Sequence, residues 1–315
     1  MQLAKVVMEK TYYLDRLIEN HEFRFDVLRI KDIDNNPVKH AHGLQMSDQE
    51  ISLFHRDVLS GDDYIEALHS FVNEGISKKK PAPVVRFADG EYAFYAYSMH
   101  CNGLYQQAES IESIKNSMGK HLKSLGFLGR VGKLAPLIFP GNVLHKKKTL
   151  FSLFSKPKGD NSALKFIEFL WDNNIDLSKD NYVPFYVVYA YLTSKRFCTM
   201  VDGRNINIVS SEYNKESCRQ WFDRFSSRPN INFTEIPDRY VATQWTSIKE
   251  DVLERIAPDV DLCLVGAGIG SLLVCVDVAN QFSIPAIDAG HVLNMMNGRE
   301  DKSAGARLFT IRGIE

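Results

Sequence analysis

Residues 261–291, "DLCLVGAGIGSLLVCVDVANQFSIPAIDAGH", constrain the fold more than any other stretch of this chain. An apolar run that reads as a buried strand leads into a glycine-rich turn, then an apolar helix-like segment, then a second short strand ending at Asp288. Strand, turn, helix and strand at this spacing form a β-α-β unit, and such a crossover joins parallel strands. Upstream the alternation repeats. "PVVRF" (83–87), "TLFSLF" (149–154), "INIV" (206–209) and "INFTEI" (231–236) read as strands, while "SALKFIEFLWDNN" (162–174), "NKESCRQWFDRF" (214–225) and "TSIKEDVLERIA" (246–257) read as helices. After the first strand, Ile111, Ile114, Met118, Leu122 and Leu125 recur at three- and four-residue spacing, which predicts a helix with these residues facing the core. "PFYVVYAYL" (184–192) fits strand or helix. The predicted class is α/β, a mostly parallel Rossmann-like sheet flanked by helices. Residues 1–77, charged and loop-rich with the turn formers of "DIDNNPVKHAHG" (32–43), are predicted as an accessory segment ahead of a domain over 78–315.

Composition narrows the partners. Lys and Arg number 38 against 39 Asp and Glu, a net charge of -1, so the chain lacks the basic field that draws nucleic acid or an anionic membrane surface. Cys101, Cys198, Cys218, Cys263 and Cys275 are odd in number and widely spaced, with no C-x-x-C pair, and read as reduced thiols. "MQLAKVVMEKTYYLDRL" lacks the apolar stretch of a signal peptide, and no stretch reaches the roughly 18 to 20 apolar residues of a membrane span. A cytoplasmic location is the expectation. The "KKK" runs at 78–80 and 146–148 read as solvated loop charges.

"VVRFADGEYAFY" (84–95) sets Asp89 and Glu91 about Gly90 at the end of a predicted strand. Ligands gather at the carboxyl ends of strands in open α/β sheets, so the place suits chemistry. Gly90 permits a tight turn that would let both carboxylates converge, and two hard oxygen donors suit Mg²⁺ or Mn²⁺. The same residues also make an ordinary helix start, with Asp89 as cap and Glu91 in the first turn. Arg86 can pair with an acid or clamp a diphosphate. In "GAGIGS", Gly266, Gly268, Gly270 and Ser271 precede a helix, where backbone amides and the Ser271 hydroxyl could hold a phosphate; tight strand-to-helix packing is the alternative. Asp288 and His291 of "IPAIDAGH" fall at the same sheet edge.

"RFADGE" (86–91), "GLYQQAESIESIKNSMGKHLKSL" (103–125) and "VGAGIGSLLVCVDVANQFSIPAIDAGH" (265–291) together resemble the GT-D type glycosyltransferases, in order and spacing over about residues 84–292. The resemblance departs at Ala88, where the family commonly has glycine, and at "VLNMMNG" after His291. It implies a metal-dependent hexosyltransferase-like enzyme of bacterial polysaccharide or glycoprotein assembly, moving a sugar from a nucleotide-sugar, a UDP-sugar by preference, to a glycan acceptor. By the resemblance Asp89 and Glu91 form a D-x-E motif for Mn²⁺ or Mg²⁺ and the donor, and Gly266, Gly268, Asp288 and His291 match the family's terminal glycine turn and aspartate-x-glycine-histidine element. Arg86, Gly90, Gly270 and Ser271 join the donor site on their own chemistry, and Asp288 and His291 are candidate catalytic residues, either as base for the acceptor hydroxyl or as groups that orient the ligands. Peripheral membrane association and a homo-oligomer are compatible with that role. Two other readings stand beside it: an NAD(P)- or flavin-dependent oxidoreductase using the glycine loop and Asp288, and a non-catalytic scaffold of a glycan-assembly complex.

Overall fold

A computed structural model of the protein describes residues 39–40, 61–98, 107–136, 169–170, 172–175, 180–183, 185–299 and 306–307. "TLFSLF", the second "KKK" run, Cys101 and most of "SALKFIEFLWDNN" lie outside the described residues.

The elements follow in the order β1 (Lys39–His40), α1 (Gly61–Ser77), β2 (Ala82–Phe87), α2 (Asp89–Tyr97), α3 (Ile111–Val131), β3 (Lys133–Pro136), α4 (Phe185–Leu192), α5 (Lys195–Met200), β4 (Asn205–Ser210), α6 (Lys215–Asp223), β5 (Asn230–Glu235), α7 (Val241–Glu254), β6 (Leu262–Gly266), a 3₁₀ turn (Gly268–Gly270), α8 (Ser271–Phe282), β7 (Pro285–Asp288), α9 (His291–Met296) and β8 (Ala306–Arg307). Six strands form one sheet in the order β3-β2-β7-β6-β4-β5, every pairing parallel. The predicted α/β architecture is the observed one. β1 and β8 make a separate antiparallel pair.

The parallel strands are buried on both faces, so they read as near-continuous apolar runs. Ile206, Ile208 and Val209 of β4, Leu262 to Val265 of β6 and Ala286 and Ile287 of β7 are all fully buried. One layer holds α3, α7 and α8, packed on one another, with α8 laid on β2, β6 and β7. Opposite, α1 packs on α4, α5, β2 and β7, and α9 on α6 and β6. Among the described residues no helix is long and apolar enough to cross a membrane.

Local chemistry explains three of the helix starts. Ser110, Ser194 and Asn214 cap α3, α5 and α6, each side chain accepting from the amide three residues on. α7 begins at Val241, before the predicted start, because Val241, Ala242 and Trp245 add to its buried face. The ambiguous "FYVVYAYL" is helical, and Phe185 and Val187 to Leu192 are buried between α1 and the sheet.

Two expectations need correction. Ile111 is 49% exposed, and the buried line of α3 is Ile114, His121, Leu125 and Leu128. The covered part of the helix begins at Ile114, so periodicity assigned its first residue to a core that it does not reach. The segment expected to be accessory ends in a core helix, for Tyr64, Leu68, Val72 and Ile76 of α1 belong to the main apolar cluster. In the first "KKK" run, Lys78 and Lys80 pair with Glu74 and Lys79 with Asp261, as solvated charges do.

Candidate active site

β2 and β7 are neighbours, yet the chain leaves β2 towards the α3 layer and leaves β7 towards the α9 layer. A crevice opens between their carboxyl ends, the place where open α/β sheets hold ligands. Arg86 and Asp288 meet there. The guanidinium donates from Nη2 to Asp288 Oδ1 at 2.9 Å and from Nε to the Asp288 carbonyl at 3.2 Å. Nη1 bonds the Tyr189 hydroxyl, and the group lies 4.6 Å from the Tyr189 ring centroid and 5.1 Å from that of Phe185. Burial alone would disfavour this cation, but Asp288 and then Tyr189 outweigh it and raise the Arg86 pKa. Removing one partner of so enclosed a pair would strand the other, at a cost of about 3–5 kcal/mol.

Gly290 fits beneath the guanidinium. Its φ is +43°, and a Cβ there would lie 1.8 Å from Arg86 Nη2, so both backbone and space demand glycine. His291 opens α9 with its ring edge-on to Tyr189, centroids 6.3 Å apart. Burial pushes the Tyr189 hydroxyl up to about 12, so it stays protonated at neutral pH.

Glu91 lies one turn into α2. Ala88, at the cap position, has no side-chain acceptor, and Glu91 Oε2 instead accepts from the Ala88 amide at 2.8 Å. That is one half of a capping box. Part of the residue is exposed, but protein surrounds its carboxyl. Burial raises its pKa to about 7, against the lowering effect of the Ala88 amide; Asp288 adds to the rise and Arg86 opposes it. A carboxyl that titrates near neutrality can exchange protons or be held ionised by a cation.

Gly90 is a helical residue of α2 rather than a left-handed turn, and the Asp89 side chain lies outside what is described. Among the described residues no group of three or more His, Cys, Asp or Glu side chains could hold a metal ion. Glu91 supplies one hard oxygen donor of the kind Mg²⁺ and Mn²⁺ take in ones or twos, alongside phosphate and water. Asp288 is committed to Arg86, so Glu91 is the described carboxyl at the crevice that such a cation would meet.

The glycine loop is at the end of β6, and its three glycines face protein atoms. A Cβ on Gly266 would meet Leu293 at 2.8 Å, one on Gly268 would meet the Gln107 amide at 2.6 Å, and one on Gly270 would meet Val241 at 2.7 Å. Gly268 also has φ +53°. The Ser271 hydroxyl accepts from the Ala267 amide at 3.1 Å, which closes the loop on itself. These contacts match the packing role. The loop is tied down from below: Tyr95 donates to the Ile269 carbonyl at 3.5 Å, and its hydroxyl stands 3.0 Å from His121 Nδ1. Burial lowers the His121 pKa to about 4, so the imidazole is neutral.

The structure thus gathers Arg86, Glu91, Asp288 and His291 at one crevice and leaves the glycine loop on the other side of β7. Sequence reasoning missed Tyr189 and Phe185, which reach the crevice from α4. Their run of apolar residues carried no polar signal, and no spacing links residue 189 to residue 86. The four described cysteines, Cys198, Cys218, Cys263 and Cys275, are free and buried, as unpaired thiols should be.

No curated protein and no solved structure matches the chain. The family described as a GT-D fold-like domain matches residues 168–296, a span that holds β4 to α9 with the glycine loop, Asp288 and His291, and that begins after Asp89 and Glu91. Residues 168–296 of this chain are therefore similar to a GT-D fold-like domain, and of the three motifs the one at 265–291 lies within that span.

Proposed function

We propose that the chain is a metal-dependent glycosyltransferase that moves a sugar from a nucleoside-diphosphate sugar, a UDP-sugar by preference, to a hydroxyl of a growing glycan. The observation that carries this reading is the Glu91 carboxyl, held near pH 7 beside the buried Arg86–Asp288 pair at a strand-end crevice next to a GT-D-like domain. In transfer, the bond from the anomeric carbon to the leaving phosphate oxygen breaks, a bond from that carbon to the acceptor oxygen forms, and the acceptor proton must leave. Mg²⁺ or Mn²⁺, held by Glu91 with Asp89, would supply neutralisation of the charge growing on the diphosphate. His291, at the first position of α9, receives the acceptor proton. The Arg86–Asp288 pair, with its guanidinium committed to Asp288 and Tyr189, holds β2 and β7 at fixed separation and so positions both groups.

Release of nucleoside diphosphate from a panel of sugar nucleotides, with and without a chelator, tests the proposal. The parent should turn over at least one donor and stop when the cation is removed. Glu91→Gln should lose on the order of 100-fold in rate while remaining folded. A parent inert on every donor, or one indifferent to chelator and to Glu91→Gln, sinks the reading.

A further inference from the structure

Gln107 is 97% buried just ahead of α3, and its side-chain amide rests on Gly268. Oε1 of that amide is shut off from solvent and has no hydrogen-bond partner among the described residues. Buried carbonyls are almost always paired, and one that is not calls for a cause. Packing alone does not supply one, because a leucine or methionine would fill the same space without desolvating an amide. Gly268 has a positive φ, and a side chain there would displace the amide, so chain conformation and glycine both favour Gln107 in this place. The N-terminus of the twelve-residue α8 follows directly.

We infer that Gln107 Oε1 is a recognition acceptor for the nucleoside part of the donor, taking a hydrogen bond from a ribose hydroxyl or from a ring N–H of the base. The inference rests on the donor reading above and assigns the nucleoside to the glycine-loop side of β7, with the diphosphate running towards the β2–β7 crevice. A neutral acceptor pairs with neutral N–H and O–H donors and repels phosphate oxygens, so phosphate is excluded as its partner.

The full chain is titrated with UDP in the presence of Mn²⁺ by calorimetry, for the parent, Gln107→Leu and Gln107→Glu, with thermal melts alongside. Gln107→Leu should weaken UDP at least about ten-fold, since a lost hydrogen bond to a bound polar group is worth that much or more. Its melting temperature should hold or rise, because Oε1 makes no hydrogen bond among the described residues that could be lost. Gln107→Glu, which keeps an acceptor, should bind more tightly than Gln107→Leu. Repeating the titration with 2′-deoxy-UDP and N3-methyl-UDP identifies the donating group: the analogue lacking it binds parent and Gln107→Leu alike. Parent and Gln107→Leu that bind UDP equally overturn the inference and leave the transferase reading standing. A Gln107→Leu chain that melts several degrees lower and loses binding in step shows a packing residue, and also overturns it. A parent that binds no nucleoside diphosphate overturns both.

Discussion

Burial holds the Glu91 carboxyl at about 7, well above the 4.5 of an exposed glutamic acid, so the folded state binds its proton more tightly than the unfolded chain. The resulting stabilisation is complete below the unfolded value of 4.5 and disappears as pH rises through about 7. In chelator, the parent should therefore lose on the order of 1–3 kcal/mol between pH 4.5 and 7.5 relative to Glu91→Gln, which has no proton to release. Urea unfolding at stepped pH reads the difference, and identical pH profiles for the two proteins would refute the buried-acid account. The type and place of this residue were legible in the sequence, which allowed a first-turn acid as one of two readings, but the cap expected of Asp89 falls to Ala88, whose amide Glu91 binds. Its titration was not legible. That depends on Asp288 of β7, on Arg86 of β2, and on how much protein closes over the carboxyl.

At the scale of elements, the glycine turn between β6 and α8 was plain in the sequence, while its contacts were not. A strand, a turn and a helix can be read from adjacent residues, but Gln107, Val241 and Leu293 come from elements remote in the chain. Gly270→Val would push branched carbons into Val241 and the Ala242 amide, which already stand 2.7 Å and 3.1 Å from a Cβ at that position. Overpacking of this kind costs typically about 1–3 kcal/mol. Melting temperature and turnover should fall together, with the KM for donor unchanged in the fraction that remains folded. A variant with parental stability and a raised KM would instead extend the ligand contact from the Gln107–Gly268 side of the loop to Gly270 itself. α3 teaches the same lesson: its periodicity announced a buried stripe, but where the stripe meets its neighbours decides that Ile114 is covered and Ile111 is not.

For the whole molecule, the question is where the folded unit begins. α1 contributes Tyr64, Leu68, Val72 and Ile76, each no more than 3% exposed, to the face of the sheet that also carries α4. Burial of side chains of this size is worth about 1.5–3 kcal/mol apiece, and a domain as a whole is stable by only about 5–15 kcal/mol. A chain starting at Lys78 is therefore expected to show no cooperative melt, whereas one starting at Gly61 should unfold cooperatively near the parental temperature. Circular dichroism on both settles it: equal melting for the Lys78 chain would return α1 to an accessory role.

Periodicity, turn chemistry and apolar runs within a few residues of one another made β2, β4 to β7 and the residues at their ends legible, while the four-residue β3 (Lys133–Pro136) went unread. Three separated motifs carried the family resemblance, and the match over residues 168–296 includes the last of them. Nothing short of the tertiary structure sets the strand order β3-β2-β7-β6-β4-β5, which brings Arg86 beside Asp288 although 202 residues separate them. Only it decided that Tyr189 and Phe185 enclose that pair, that the glycine loop is filled by side chains from elsewhere, and that α1 belongs to the core. Each of these is a contact between distant parts of the chain, and local sequence carries no record of which distant surface will cover it.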